Sequence, residues 1–160
     1  MIAPFRVMQH LITIEDQLSF LASVERHLLP GGRLVFDVFN PNFAGMIEYG
    51  DGDEREDTPE SPLPDGRTFR RTGRIAGVRW TEQVSEIELI YYLSGAGGEQ
   101  PTRHVQAFDM RWFLRAELEH LLARSGFHLL EILGDFDRSP LGNGSPEQIV
   151  RAELASTGGR

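Results

Sequence analysis

The chain has 160 residues, 40% of them hydrophobic, which suffices for one domain that buries roughly 70% of its unfolded surface. Its formal net charge of −8 argues against a nucleic-acid partner, because phosphate binding needs clustered lysine and arginine. The sequence lacks cysteine, and no apolar run approaches the roughly 20 residues that cross a bilayer. We therefore expect a cytoplasmic protein without disulfides, metal or a membrane partner.

The chain begins with a predicted strand and a predicted helix. Residues 2–8 are apolar except for Arg6 and predict a short strand. Thr13 is a typical N-cap, and it precedes a run in which apolar residues recur at helical spacing. We predict an amphipathic helix over residues 14–29.

A second strand follows directly and organises the rest of the chain. Pro30 cannot continue the helix, and Gly31 or Gly32 can take the positive φ that ends it. Residues 33–39 are then apolar with only Asp37 interrupting, which is typical of a strand covered on both faces. In parallel sheets of this kind ligands bind beyond the carboxyl ends of the strands.

Residues 48–66 hold eight acidic residues against Arg55 alone, together with three prolines and three glycines. We predict an acidic mobile surface loop. A calcium loop beginning at Asp51 is excluded, because Arg55 and Pro62 stand where that motif needs ligands.

The sequence of residues 67–113 is typical of strands and predicts an antiparallel meander. Its strands are predicted at 74–81, 84–93 and 102–113, with a turn at 94–98. Five aromatic residues of this segment either form the core of the small sheet or line a substrate pocket. They are Trp80, Tyr91, Tyr92, Phe108 and Trp112.

The sequence after residue 113 predicts one helix and two strands. The predicted elements are a helix over 115–125 ending at Gly126, a strand over 128–133, a strand near 148–154 and a frayed tail at 155–160. Leu114 precedes the helix and cannot cap it with its side chain.

Several short motifs together resemble one family. They are Ala3 to Leu11 (APFRVMQHL), Glu15-Asp16-Gln17, Leu29-Pro30-Gly31-Gly32, Phe36 to Pro41 (FDVFNP), Arg111-Trp112-Phe113, Glu117-Leu118, Gly126-Phe127 and Gly134-Asp135-Phe136. In this order they resemble the class I S-adenosylmethionine-dependent methyltransferases, and specifically the second half of the catalytic domain of the small-molecule branch.

The resemblance implies an α/β fold. It would be a partial Rossmann-like methyltransferase sheet that holds only the last strands, with helices and an inserted antiparallel β meander. One domain would span residues 1–160, with its α/β core at 1–47 and 114–155. The last strand would run antiparallel between its two neighbours, as it does in that family.

The cofactor loop of that family, an acidic residue and a Gly-x-Gly pattern after the first strand, is not found after any predicted strand. The acidic residue that ends the second strand and holds the ribose is missing as well. The resemblance therefore implies that the chain begins at the fourth strand of the family. It also implies that this chain alone does not bind S-adenosylmethionine and is inactive.

The resemblance also indicates site residues. The cofactor would contact Pro4, Phe5, Arg6 and Gln9, which follow the first strand. His10 would serve as a catalytic base or hydrogen-bonding group, although a helix-start histidine bonded to the backbone is the more frequent explanation of such a residue. The substrate would contact Asn40, Tyr91 and Arg111.

Two functions remain open at this stage. One is a truncated small-molecule methyltransferase, and the other is a non-catalytic dimerising or ligand-binding remnant of that fold. In both cases we expect a homodimer burying more than about 1,200 Å², through the unpaired edge of residues 2–8 or through the outer strand of the meander.

Overall fold

The computed structural model describes residues 1–95 and 100–155. Its chain divides into two compact units, Met1–Pro41 with Arg111–Arg160, and Asn42–Met110. Each unit is described by itself, and the assignment of the whole chain to one domain stays a prediction. Most of the predicted turn at 94–98 and of the predicted tail at 155–160 lies outside the described residues.

The elements in chain order are β1 (Ile2–Ala3), α1 (Ile14–His27), β2 (Arg33–Phe39), α2 (Phe43–Tyr49), β3 (Arg55–Pro62), β4 (Thr68–Arg79), β5 (Val84–Ser94), β6 (Thr102–Arg111), α3 (Arg115–Arg124), β7 (Phe127–Leu133) and β8 (Glu147–Leu154). Short 3-10 helices lie at Val7–His10 and Trp80–Glu82. None of the helices in the described ranges is both long and apolar enough to cross a membrane.

The first unit contains a four-stranded sheet in the order β1-β2-β8-β7. Strand β1 runs parallel to β2, whereas β8 is antiparallel to both β2 and β7. This confirms the predicted parallel arrangement of the first two strands and the antiparallel last strand between its neighbours.

The predicted strand over residues 2–8 is wrong beyond Ala3. Phe5 and Arg6 both take left-handed backbone conformations, with φ of 61° and 58°, and a strand cannot continue through such residues. The chain then turns into the 3-10 helix Val7–His10. Local hydrophobicity alone therefore overestimated the strand.

Helix α1 is close to its prediction. The Thr13 hydroxyl oxygen accepts a hydrogen bond from the Asp16 backbone N–H at 3.1 Å, which confirms the predicted N-cap. The helix ends at His27, two residues earlier than predicted, and Gly31 has a φ of 75°. Helix α3 begins after Leu114, which makes no capping hydrogen bond with its side chain.

The core of the first unit packs apolar side chains of both helices against β2, β7 and β8. Its fully buried members include Met8, Leu21, Leu34, Phe36, Val38, Phe113, Leu118, Leu122, Phe127 and Val150. Strand β2 supplies Leu34, Phe36 and Val38 from alternate positions, which therefore share one face of the sheet.

The second unit is an antiparallel sheet in the order β3-β4-β5-β6, which confirms the predicted meander. The predicted acidic loop at 48–66 is wrong, because β3 pairs with β4 from Arg55 opposite Gly73 to Pro62 opposite Thr68. Its acidic side chains are compensated across the sheet: Asp57 accepts a hydrogen bond from Arg71 at 2.9 Å. The prolines of β3 are tolerated because it is an outer strand.

Candidate functional site

The candidate site lies at the carboxyl end of β2, where the sequence predicted ligand binding. Asp37 and Phe39 are two positions apart on β2, and Phe39 stands opposite Glu147 at the start of β8. These three side chains therefore share one face of the sheet. It is the face opposite to the one that carries Phe36 and Val38.

Arg6 lies over this face. Its Nη2 atom donates a hydrogen bond to Glu147 Oε1, and its Nη1 atom is 4.0 Å from Asp37 Oδ2. Its guanidinium carbon is 3.8 Å from the centroid of the Phe39 ring, which is a cation–π contact. One arginine thus contacts two carboxylates and an aromatic face at once.

Burial sets the electrostatics of this cluster. The side chains of Asp37 and Glu147 are only 6% and 8% exposed. Burial raises the pKa of Glu147, and the nearby Asp37 and Asp135 carboxylates raise it further, whereas the Arg6 guanidinium opposes them. The cluster holds more carboxylates than cations, so Arg6 is central to its charge balance.

Backbone strain accompanies the cluster. Phe5 and Arg6 are consecutive non-glycine residues in the left-handed region, each at a cost of about 1–2 kcal/mol. Strained residues of this kind concentrate at binding and catalytic sites, where the surrounding contacts hold them. Here the side chain of Phe5 is 82% exposed, so its own packing does not offset the strain.

Gln9 differs from the other predicted cofactor contacts in that both polar ends of its buried side chain are hydrogen-bonded to backbone groups. It is buried, its Nε2 atom donates to the Arg111 carbonyl at 2.8 Å, and its Oε1 atom accepts from the Phe39 N–H at 2.8 Å. Both polar ends of this side chain therefore join backbone segments of the first unit. The geometry gives Gln9 a structural role at the end of β2.

Three other predicted residues stand close to this cluster in sequence and are exposed to solvent: Pro4, Phe5 and His10. Pro4 and Phe5 follow β1 directly, and His10 ends the 3-10 helix that begins after Arg6. Their exposure makes these side chains accessible to a ligand at this end of the sheet.

Two predicted substrate contacts also belong to the first unit. Asn40 follows β2, and its Nδ2 atom donates to the Ser145 carbonyl at 2.9 Å. Arg111 donates from Nη2 to Glu117 Oε1 at 2.7 Å, and its side chain is largely buried. The loop before β8 thus positions Asn40, while α3 positions Arg111.

Tyr91, the third predicted substrate contact, belongs to the second unit. Its hydroxyl donates to Gln106 Oε1 at 3.1 Å, and its ring centroid is 6.2 Å from that of Phe69. The roles predicted for all of these residues stay predictions.

Sequence reasoning missed Glu147. A signal was present, because Glu147 directly precedes the strand predicted near 148–154, which the resemblance places between two neighbours. A carboxylate at the start of such a strand becomes buried and needs a cation. That cation is Arg6, which lies 141 positions away from Glu147 along the chain.

The second unit contains one Gly-x-Gly sequence preceded by an acidic residue, in Glu48-Tyr49-Gly50-Asp51-Gly52. It follows α2 and precedes β3. The cofactor loop of the resembled family connects a strand to a helix, so this segment has the wrong context. Among residues 1–95 and 100–155, no group of three or more acidic or histidine side chains could hold a metal ion.

Solved methyltransferase structures match nearly the whole chain. An S-adenosylmethionine-dependent methyltransferase from Clostridium acetobutylicum matches with a TM-score of 0.71 and 12% identity, over 97% of this chain and 57% of its own. The chain has the fold of these methyltransferases. No protein-family model and no curated protein matches its sequence.

Two further structures are similar. An amino pentose methyltransferase from Micromonospora echinaspora matches with a TM-score of 0.65 and 22% identity, over 96% of this chain and 58% of its own. A sugar N-methyltransferase from Streptoalloteichus matches with a TM-score of 0.66 and 21% identity, over 97% and 56%. The chain thus spans somewhat more than half the length of these structures. Its assignment to the second half of the catalytic domain stays a prediction.

The end of β1 is the accessible part of the predicted cofactor site. The exposed Phe5 and the left-handed turn at the end of β1 leave side chain and backbone accessible there. The family's loop and acidic residue for the adenosine end have no counterpart after a strand of this sequence. Contact of this chain with S-adenosylmethionine therefore stays a prediction.

Proposed function

We propose that this chain is part of an S-adenosylmethionine-dependent methyltransferase acting on a small molecule. The observation that carries the proposal is the fold, with a TM-score of 0.71 over 97% of the chain. The sheet order β1-β2-β8-β7 and the exposed residues at the end of β1 and β2 support it.

S-adenosylmethionine, when bound, supplies a methyl group on a positively charged sulfonium sulfur. The chain's residues then have to orient the acceptor, exclude water and accept a proton. Phe5 covers the reacting centre with an apolar ring. His10 accepts the proton that leaves the acceptor, at one of its imidazole nitrogens. Asn40 and Arg111 keep their predicted roles as acceptor contacts, and the role of Tyr91 stays a separate prediction.

The acceptor class in this proposal is an amine carried by a molecule of sugar size. Two of the similar structures are described as an amino pentose methyltransferase and a sugar N-methyltransferase. An amine acceptor has to lose its proton before or during transfer, and an exposed histidine at the end of the sheet suits that step.

The test is methyl transfer from methyl-labelled S-adenosylmethionine to a panel of amino sugars. The protein is expressed from its genomic locus together with any coding sequence in frame before Met1. We expect labelled product, and a loss of about tenfold or more in His10→Phe, with His27→Phe as the matched control because His27 lies at the far end of α1. Absence of transfer with a wild-type protein that binds the cofactor would overturn the proposal.

The 160-residue chain alone is expected not to bind S-adenosylmethionine, since the family's adenosine contacts have no counterpart here. Isothermal titration calorimetry tests this. A dissociation constant in the low micromolar range would contradict it.

The predicted homodimer and the cytoplasmic location belong to this proposal. Ile2 at the end of the first sheet is 72% exposed, and an unpaired strand edge with apolar side chains favours association. Light scattering should give about twice the chain mass of 18.0 kDa at micromolar concentration. A stable monomer would contradict the dimer without affecting the proposed reaction.

A further inference from the structure

The turn at Phe5 and Arg6 needs an explanation, because two successive non-glycine residues have left-handed backbones. The turn joins β1 to the 3-10 helix Val7–His10. The Phe5 side chain projects into solvent and so cannot hold this conformation. The Arg6 carbonyl accepts a hydrogen bond from the Gln9 N–H at 2.8 Å, and the side chain of Arg6 is the part of the turn that contacts the sheet.

Arg6 is anchored on a rigid surface. Its three partners are Glu147, Asp37 and Phe39, and all lie on one face of the β2–β8 ladder. Seven consecutive residue pairs join these two strands, from Arg33 opposite Glu153 to Phe39 opposite Glu147. A contact with this ladder therefore fixes the guanidinium in space.

The chemistry of the contact suits arginine. The planar guanidinium stacks on the Phe39 ring and donates toward two carboxylates, and a lysine ammonium cannot do both. Glu147 Oε1 accepts from Arg6, whereas its Oε2 atom is buried without a hydrogen-bond partner within the described residues. Glu147 and Arg6 are thus each other's closest charged partner.

We propose that Arg6 is a positioning residue and that Glu147 anchors it, so that the pair fixes the Phe5–Arg6 turn and the placement of Phe5 and His10. This gives Arg6 a role different from the cofactor contact predicted from the sequence. Its importance for methyl transfer rests on the proposed function. The fixed turn itself does not.

The first experiment needs no catalytic activity. Amide signals of residues 5–10 are compared in ¹H–¹⁵N NMR spectra of the wild-type chain, Glu147→Met and the control Glu153→Met. Glu153 pairs with Arg33 at the other end of the same two strands. We expect the Phe5, Arg6 and His10 signals to shift or broaden in E147M and to stay in place in E153M.

Unchanged signals of residues 5–10 in E147M would overturn the proposal. If E147M does not fold, Arg6→Lys replaces it, because it keeps the charge but loses the stacked, forked contact. The His10 signal should then move in R6K, and its staying in place would equally overturn the proposal.

The second experiment measures kinetics in the protein that transfers methyl groups. We expect kcat/KM to fall by about tenfold or more in E147M and to stay unchanged in E153M. Unchanged kinetics together with a displaced turn would overturn the role in catalysis. If wild-type protein binds the cofactor yet transfers no methyl group, the proposed function fails, while the NMR comparison still decides whether Glu147 positions the turn.

Discussion

Charged side chains join β2 and β8 at both ends of their ladder, and the two ends differ in burial. At the amino end of β2, Arg33 Nε is 3.1 Å from Glu153 Oε2, with side chains 59% and 34% exposed. At the carboxyl end, Arg6 contacts Glu147 and Asp37, which are almost fully buried. Ion pairs between the same residue types therefore contribute differently to stability at the two ends. An exposed pair contributes about 0–1 kcal/mol, whereas a buried charge depends on its partner.

The largest expected effect comes from removing the buried cation. Arg6→Met leaves Asp37 and Glu147 buried without their cation, and we expect the free energy of unfolding to fall by about 3 kcal/mol. The control Arg33→Met should cost less than about 1 kcal/mol. Urea denaturation measures both. Equal losses in the two variants would mean that burial does not separate the two ends.

A smaller loss of stability is expected from replacing Gln9, whose side chain forms hydrogen bonds with backbone groups near the buried carboxyl end of β2. Gln9→Met keeps the volume but leaves the Phe39 N–H and the Arg111 carbonyl without their side-chain partner. We expect a loss of about 2 kcal/mol, from roughly 1–3 kcal/mol for each unsatisfied group.

Gln17→Met is the control for Gln9, because the buried side chain of Gln17 donates one hydrogen bond among the described residues, to the Leu11 carbonyl. It should cost about half as much in the same urea experiment. A greater loss in Gln17→Met than in Gln9→Met would show that Gln9 does not hold the end of β2.

Local patterns predicted the elements whose stability is local. Strand β2 and helix α1 follow from an apolar run and from helical spacing with a Thr13 cap. Strand β3 was mistaken for a loop because its acidic side chains are compensated by residues such as Arg71, far along the chain. Hydrophobic pattern carries no information about such pairing.

The candidate site shows the same limit. Ligand binding beyond the carboxyl end of β2 was expected from the position of ligand sites in such sheets, and it stays a prediction. The left-handed turn at Phe5 and Arg6 was not predicted, since residues of these types prefer other backbone conformations. The proposed anchor of this turn is the contact of Arg6 with Glu147, two residues that only the folded sheet brings together.

The pH dependence of stability sharpens the comparison further. Glu147 has a pKa raised above its ordinary value of 4.5, chiefly by burial. Its stabilising contribution is therefore fully present below about pH 4.5 and is lost as the pH rises through its folded pKa. Arg6, Asp37 and Asp135 are the charged groups that act on it.

Glu147→Gln removes this titration, so its cost relative to wild type should be larger at about pH 4 than at about pH 7. Thermal unfolding at both pH values measures the difference. A cost that grows toward neutral pH would show that the pair with Arg6 outweighs the burial of the carboxylate.

The smallest expected effect is a difference in salt dependence between the ion pairs at the two ends of the β2–β8 ladder. Raising the ionic strength from about 0.1 M to about 1 M shortens the screening length from roughly 10 Å to roughly 3 Å. The exposed Arg33–Glu153 pair should lose most of its contribution, so that Arg33→Met approaches wild-type stability at high salt. The cost of Arg6→Met should persist, because the side chains of Asp37 and Glu147 are largely buried and salt screens buried charges much less. Urea denaturation of both variants at the two salt concentrations measures this, and a parallel loss of both effects would place the Arg6 cluster in contact with solvent.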